Sequence, residues 1–280
     1  MRVLVTGAQG QLGTDMLLCL ERQPAEFHVL GYGRTALDIT DVSQVSKIFG
    51  EVKPDVVIHT AAYTQVDQAE TDRDRAYAVN ALGTRNLVVE AEKLGAKFVY
   101  LSTDYVFDGK KGTPYSESDR TNPQSVYGQS KRAGEEYVLS LSSKYFIVRT
   151  SWVYGKYGAN FVKTMLKLGG EGKPLKVVND QFGSPTYTVD LARFIEQIIG
   201  TECYGIYHAT NSGSCSWYEF AKTIFEQAGM QVELSSCATA DFPRPAPRPA
   251  YSVLEHAAIQ LNGFQDLRPW QEGLKDFLTN

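Results

Sequence analysis

Histidine and cysteine are scarce in this 280-residue sequence, with four of each. Cys19, Cys203, Cys215 and Cys237 are scattered with no C-x-x-C, so they read as free thiols of a reducing cytoplasm. His28, His59, His208 and His256 lack metal-ligand spacing and read as structural histidines, so no metal site is assigned. No run approaches the ~18 apolar residues of a membrane span. A net charge of -4 leaves no basic footprint for nucleic acid. Met1 to Gly7 reads as a strand entering a turn and not as a signal peptide. With 43% hydrophobic and 21% charged residues, the composition is that of a soluble globular protein. The length suits one large core, or a core with a smaller second lobe.

The most informative stretch that is present is Tyr127-Gly128-Gln129-Ser130-Lys131. On a helix, positions i and i+4 share a face. A free phenol, with a pKa of about 10, is a poor acid-base catalyst near neutrality. A nearby ammonium favours the phenolate, so Lys131 is expected to lower the Tyr127 pKa. Alone, the pair fits any exposed helix face; two further features give it weight.

The first is a glycine-rich turn, Gly7-Ala8-Gln9-Gly10-Gln11-Leu12-Gly13, after the apolar run Val3-Leu4-Val5 and before a helical pattern that extends to about Glu21. It is G-x-x-G-x-x-G, not G-x-G-x-x-G, but the mechanics are the same. Glycines permit a tight turn and bring backbone N–H groups to a pyrophosphate at a helix N-terminus. The second is Ser102-Thr103-Asp104, at the end of the apolar run Phe98–Leu101.

Between these, His28–Tyr32 reads as a second strand. Beyond it stands Arg34, where NAD-preferring sites place an acid; an arginine suits a 2′-phosphate, so NADPH is at least tolerated and NADH stays open. Asp38-Ile39 leads into Thr40-Asp41-Val42, a helix N-cap signal. Asp55–His59 reads as a buried strand running into the small residues Thr60-Ala61-Ala62-Tyr63, which leave room for a cofactor. A helix is expected from about Ala76 to Leu94, carrying Asn80, and another over Tyr127–Leu141, followed by a strand at Tyr145–Arg149. Leu168–Pro174 and Asn179–Pro185 read as loops, Val189–Ile199 as a helix, and Pro243–Pro249 as a stiff extended segment. Alternating strands and helices imply a doubly wound, Rossmann-like parallel sheet with ligands at the carboxyl ends of the strands. The expected division is a dinucleotide-binding domain of residues 1–150 and 177–208, with a smaller substrate-binding lobe of residues 151–176 and 209–280.

These residues resemble the extended short-chain dehydrogenase/reductase superfamily and, within it, the dTDP-4-dehydrorhamnose reductases, which complete dTDP-L-rhamnose synthesis. The resemblance covers nearly the whole chain. Its more specific segments are Arg149-Thr150-Ser151-Trp152-Val153-Tyr154 and Asn179–Thr186. It implies an NAD(P)H-dependent reduction of a sugar C4 ketone. Tyr127 would give the proton, Lys131 would hold the nicotinamide ribose, and Thr103 would bond the ketone oxygen. Gly10, Gln11 and Leu12 would face the pyrophosphate, with Gly7 and Gly13 shaping the turn, while Asp38 and Ile39 would border the adenine. Ala61, Ala62, Tyr63 and Asn80 would line the middle of the cofactor. Asp104, Tyr105 and Trp152 would hold the sugar, and Arg248 the substrate diphosphate. Some relatives bind Mg²⁺ through acids at a dimer contact; Asp15 and Asp190 are candidates, but no complete ligand set is present, so Mg²⁺ and a homodimer both stay open. Rival readings are a nucleotide-sugar 4-epimerase or 4,6-dehydratase on the same scaffold, and a non-catalytic NADP-binding subunit resembling the regulatory subunit of methionine adenosyltransferase. Against a binding-only role stand the intact Thr103, Tyr127 and Lys131. Against a dehydratase stands Tyr105, where those enzymes place a glutamate beside the aspartate.

Overall fold

Buried apolar runs set the framework. A computed structural model describes residues 1–279; Asn280, the last residue of the expected lobe, lies outside the described residues. Val3, Leu4 and Val5 of strand β1 (Arg2–Thr6) have no solvent exposure, nor have Val56, Val57 and Ile58 of β3 (Val56–His59). Strands apolar on both faces suit a parallel sheet covered by helices on each side. With β2 (His28–Tyr32), β4 (Lys97–Thr103), β5 (Tyr145–Thr150) and β6 (Gly205–His208) they form a six-stranded parallel sheet in the order β6-β5-β4-β3-β1-β2. The β4–β5 register sets Ser102 beside Arg149 and Thr103 beside Thr150.

On one face, helices α1 (Gln11–Leu20) and α6 (Thr188–Ile199) bury Met16, Leu20, Leu191 and Ile195 against the sheet. On the other lie α2 (Val42–Val52), α3 (Thr84–Lys93) and α4 (Val126–Leu141). The expected cap is present: the Asp41 carboxylate accepts from the N–H groups of Ser43 and Gln44 at the start of α2. Ser125 caps α4 by accepting from the Gly128 N–H at 3.1 Å.

A third apolar core lies beyond the carboxyl edge of the sheet. It joins Tyr154, α5 (Phe161–Gly170), α7 (Trp217–Gln227) and α8 (Trp270–Thr279), and draws in Val177 and Tyr187. Three two-stranded ladders frame it: Val153–Tyr154 with Thr186–Tyr187, Phe182–Gly183 with Cys215–Ser216, and Leu175–Val178 with Leu234–Cys237.

Three local expectations are corrected. Leu168–Gly170 is the last turn of α5 and not a loop, because Gly169 is buried against Phe225 and that packing outweighs glycine's weak helix propensity. Asn179–Pro185 contains the strand Phe182–Gly183. The helix expected over Ala76–Leu94 is a short helix at Arg73–Tyr77, a π-helical turn at Ala78–Gly83, and then α3. The wide turn carries Asn80, whose side chain is committed to the neighbouring Tyr63 backbone. Such π turns recur at functional sites.

One buried ion pair anchors α4. Glu135 accepts from Arg149 Nε at 2.8 Å and from the second guanidinium arm at 2.9 Å. It also accepts from the Ser102 hydroxyl at 2.6 Å and from Arg132 at 3.1 Å. Glu135 is 0% and Arg149 2% exposed. Removing one partner of such a pair leaves a buried charge uncompensated, at a cost of about 3–5 kcal/mol. Arg149→Met is therefore expected to lower the urea-unfolding free energy by about that amount, with the Glu135→Leu/Arg149→Met double variant losing less. A single-variant loss no larger than that of an exposed arginine would refute the anchoring role.

Candidate active site

The carboxyl ends of β1, β3, β4 and β5 open onto one cleft of about 880 Å³. At its floor, Gly7 has φ of +68°, and a side-chain carbon on Gly13 would lie 2.1 Å from the Gly7 carbonyl oxygen. Only glycine permits this turn onto α1. Gly10, at the N-cap of α1, supplies no side-chain cap, and the first turn carries no acid. The leading N–H groups of α1 thus suit an anion. Gly7, Gly10, Gln11, Leu12 and Gly13 all border the cleft. So do Arg34, Asp38 and Ile39 at one end, and Ala61, Ala62 and Tyr63 along the middle. Hydrogen bonds from Thr40 hold the Asp38 carboxyl below its ordinary pKa, and Arg34 adds to this. Asn80 does not border the cleft. It stands 1% exposed behind the wall, with Oδ1 accepting from Tyr63 N–H at 2.8 Å and Nδ2 donating to Tyr63 O at 3.0 Å and to Ser130 Oγ at 3.0 Å.

Thr103, Tyr127 and Lys131 all line the cleft. Burial pushes the Tyr127 phenol up to about 12, with a hydrogen bond to Thr103 pulling the other way and the Asp104 charge adding to the rise. The expected lowering by Lys131 is absent. The Lys131 amine donates to the Leu101 carbonyl at 2.6 Å and lies 4.1 Å from the centre of the Tyr100 ring. Burial brings that amine down to about 7, opposed by the Glu135 carboxylate one turn further along α4. Burial dominates at both groups. The phenol accordingly carries its proton at neutral pH, which suits a proton donor.

Tyr105 and Trp152, the residues expected to hold a sugar, also border the cleft. Asp104 is 2% exposed and lies behind Thr103, accepting from the Thr103 hydroxyl at 3.0 Å. Burial pushes Asp104 up to about 6, against hydrogen bonds from Ser252 and Thr103. Arg248 lies on a separate cavity of about 280 Å³ that shares Tyr105 with the cleft. Its guanidinium donates to Asp67 at 2.9 Å and to the Ala246 carbonyl at 3.0 Å. Asp15 accepts from the Thr188 hydroxyl, and Asp190 accepts from Asn211 at 2.8 Å and Arg268 at 2.9 Å. Among the described residues, no group of three His, Cys, Asp or Glu side chains is placed to hold a metal ion.

The whole chain, residues 1–280, matches the family described as the RmlD substrate binding domain. The chain belongs to that family. Within it, the chain is 46% identical to the spore coat polysaccharide biosynthesis protein SpsK of Bacillus subtilis, covering 99% of this chain and 96% of that protein. It is 44% identical to the dTDP-4-dehydrorhamnose reductase of Aggregatibacter actinomycetemcomitans, covering 98% and 97%. The crystal structure of the dTDP-4-dehydrorhamnose reductase of Bacillus anthracis in complex with NADP superposes with a TM-score of 0.97 at 50% identity, covering 99% of this chain and 98% of that one.

Several residues of this RmlD-family cleft escape sequence reading. Thr150 and Ser151 border it and lie inside a segment already conspicuous in the sequence. Asp72 and Arg75 reach it from the short helical stretch beside Tyr63, where no motif marks them. Gln11 also crosses to the lobe: its side-chain oxygen accepts from Asn160 Nδ2 at 2.9 Å, and Asn160 caps α5.

The Lys131 amine gives a pH test. It titrates near 7 in the fold and at its ordinary 10.5 when unfolded. Between those values the unfolded chain binds the extra proton, so stability rises with pH across that window, and the burial penalty is fully present below about 7. Going from pH 7 to 9, the wild type should gain on the order of 2 kcal/mol relative to Lys131→Met, read as the difference between their urea-unfolding free energies. Parallel pH profiles would contradict a buried amine that sheds its proton on folding.

Proposed function

We propose that the chain is an NADPH-dependent dTDP-4-dehydrorhamnose reductase, converting dTDP-4-dehydro-L-rhamnose to dTDP-L-rhamnose. The observation that carries this is that Tyr127, Thr103 and Lys131 all line the cleft floored by the glycine turn. Full-length identity of 44% to a protein named for this reaction supports it.

The cleft fits a dinucleotide: a glycine cradle at the α1 N-terminus, small Ala61 and Ala62 in the middle, and Arg34 at the end where a 2′-phosphate would lie. NADPH bound there supplies the hydride; NADH would fit the same cradle without using Arg34. The Thr103 hydroxyl orients the C4 ketone oxygen beside the phenol. Tyr127, holding its proton at neutral pH, passes it to the alkoxide oxygen as that oxygen gains charge. An alkoxide is a stronger base than a phenolate, so a phenol near 12 still donates downhill. Lys131 would bind the nicotinamide ribose, and its amine, brought down to about 7 by burial against the opposing Glu135 carboxylate, can take up a proton as the phenolate forms. Tyr105 and Trp152 flank the sugar. Elimination of water would need a second acid-base pair, and Asp104 is followed by Tyr105, not by a carboxylate. We assign the sheet and its helix layers to the cofactor and the third core to the substrate lobe. The four cysteines are free thiols, which supports a cytoplasmic enzyme.

Purified protein should consume NADPH stoichiometrically with dTDP-4-dehydro-L-rhamnose and release no 4-keto-6-deoxy product from dTDP-glucose with NAD⁺. Loss of water from dTDP-glucose, or no NADPH consumption, would overturn the assignment. We assign the substrate diphosphate to Arg248, which lies across Tyr105 from the cleft. Arg248→Ala should raise KM for the nucleotide sugar, roughly tenfold, with kcat little changed, because a remote anion contact is similar in ground and transition states. An unaltered KM would leave Arg248 as the structural partner of Asp67 alone.

A further inference from the structure

Trp152 stands on the cleft wall with φ of +49°, one of two non-glycine residues with positive φ among those described. The left-handed region is a strained place for a bulky side chain, so the surroundings must impose it. Two neighbours do so. The Trp217 indole stacks on that of Trp152, with ring centres 3.5 Å apart and planes 11° from parallel. Gly183 comes so close that a side-chain carbon there would lie 2.6 Å from the Trp152 ring. Trp217 does not border the cleft. It is the first residue of α7, whose N-terminus is fixed by the Ser216–Glu219 capping box, and it packs on Phe161 at 4.5 Å and Phe220 at 6.3 Å. The third core therefore reaches the cleft wall through Trp152, whose tightest ring contact is Trp217, with Phe220 more distant at 6.4 Å.

We propose that Trp217 is a positioning residue for substrate: by stacking on Trp152 it holds that indole in its strained pose, and so sets the fit of the sugar end of the cleft. This rests on the reductase reading above. The indole is a flat apolar surface of the kind a pyranose ring packs against. Its placement depends on a partner outside the cleft, so the specificity of the site extends one layer into the lobe. The Gly183 approach adds a second constraint from the neighbouring ladder.

The test uses Trp217→Leu and Trp217→Phe in the full-length enzyme. The chain has three tryptophans, so the long-wavelength edge of the near-ultraviolet circular dichroism, where tryptophan absorbs and tyrosine does not, reads the stacked pair. Trp217→Leu should abolish the coupled indole signal and raise KM for dTDP-4-dehydro-L-rhamnose by roughly three- to tenfold, the factor to which one aromatic pair corresponds. Its NADPH Kd should be unchanged and its kcat should fall by less than KM rises. Trp217→Phe keeps a flat partner and should restore most of the KM. Gly183→Ala, which presses on the indole with Trp217 intact, should raise KM in the same way, and it keeps the test open if Trp217→Leu fails to fold. A lowered melting temperature with unchanged KM in Trp217→Leu, or in Gly183→Ala, would make the stack purely structural and overturn the proposal. If wild-type protein itself fails to reduce this substrate, the reductase reading falls. The positioning role is then still decided by binding of dTDP-glucose, which carries a pyranose ring: a Trp217→Leu Kd raised by the same factor supports it, and an unchanged Kd overturns it.

Discussion

The Glu135–Arg149 pair, sealed from water, holds helix α4 to the sheet. Tyr127, Lys131 and Glu135 lie at successive i, i+4 positions, so one helix face carries proton donor, amine and anchor. Arg149 lies at the end of β5 and Ser102 beside it on β4, and both bind the Glu135 carboxylate. A bidentate guanidinium fixes direction as well as distance. The roll of α4 about its axis is thereby set, and with it the approach of Tyr127 to Thr103, the residue after Ser102. The same carboxylate supports positive charge on Lys131 against the dehydration that opposes it. Fold and chemistry meet at this one carboxylate.

Local patterns account for the parts that could be read from the chain alone. The glycine turn declares itself because only glycine tolerates its geometry. Buried strands such as Val56–Ile58 show as apolar runs, and Asp41 shows as a cap because its carboxylate answers the free N–H groups just ahead of it. What escaped depends on contacts between distant segments. Nothing within α4 marks Glu135 as the partner of Arg149, since the pairing exists only once β5 lies beside β4. The i, i+4 spacing points Lys131 at Tyr127, yet its amine donates to the Leu101 carbonyl on a strand 30 residues earlier. Asn80 was placed on the cofactor, but its amide is spent on the Tyr63 backbone and Ser130. Trp217 offered no signal, because its importance lies in the pose of a residue 65 positions away in the chain.

The sheet and the third core also touch at the far side of the cleft. Gln11 follows the Gly10 cap at the floor, and its side chain ties to Asn160, the cap of helix α5. The glycine turn is therefore linked directly to the third core. The Thr150–Thr186 and Ser151–Ser184 hydrogen bonds, at 3.3 and 2.7 Å, close the same junction from the β5 side. The strained Trp152 sits just beyond them, where the sheet hands over to the lobe.

The Tyr127 phenol carries its proton at neutral pH, and the proposed mechanism requires that this proton be the one delivered to the sugar. The most direct measurement is single-turnover reduction by Tyr127→Phe, with its NADPH Kd determined alongside. The account predicts an unchanged Kd and a rate reduced by about 10²–10⁴-fold, the usual contribution of a positioned general acid. A Phe variant that reduces the ketone at the wild-type rate would contradict it.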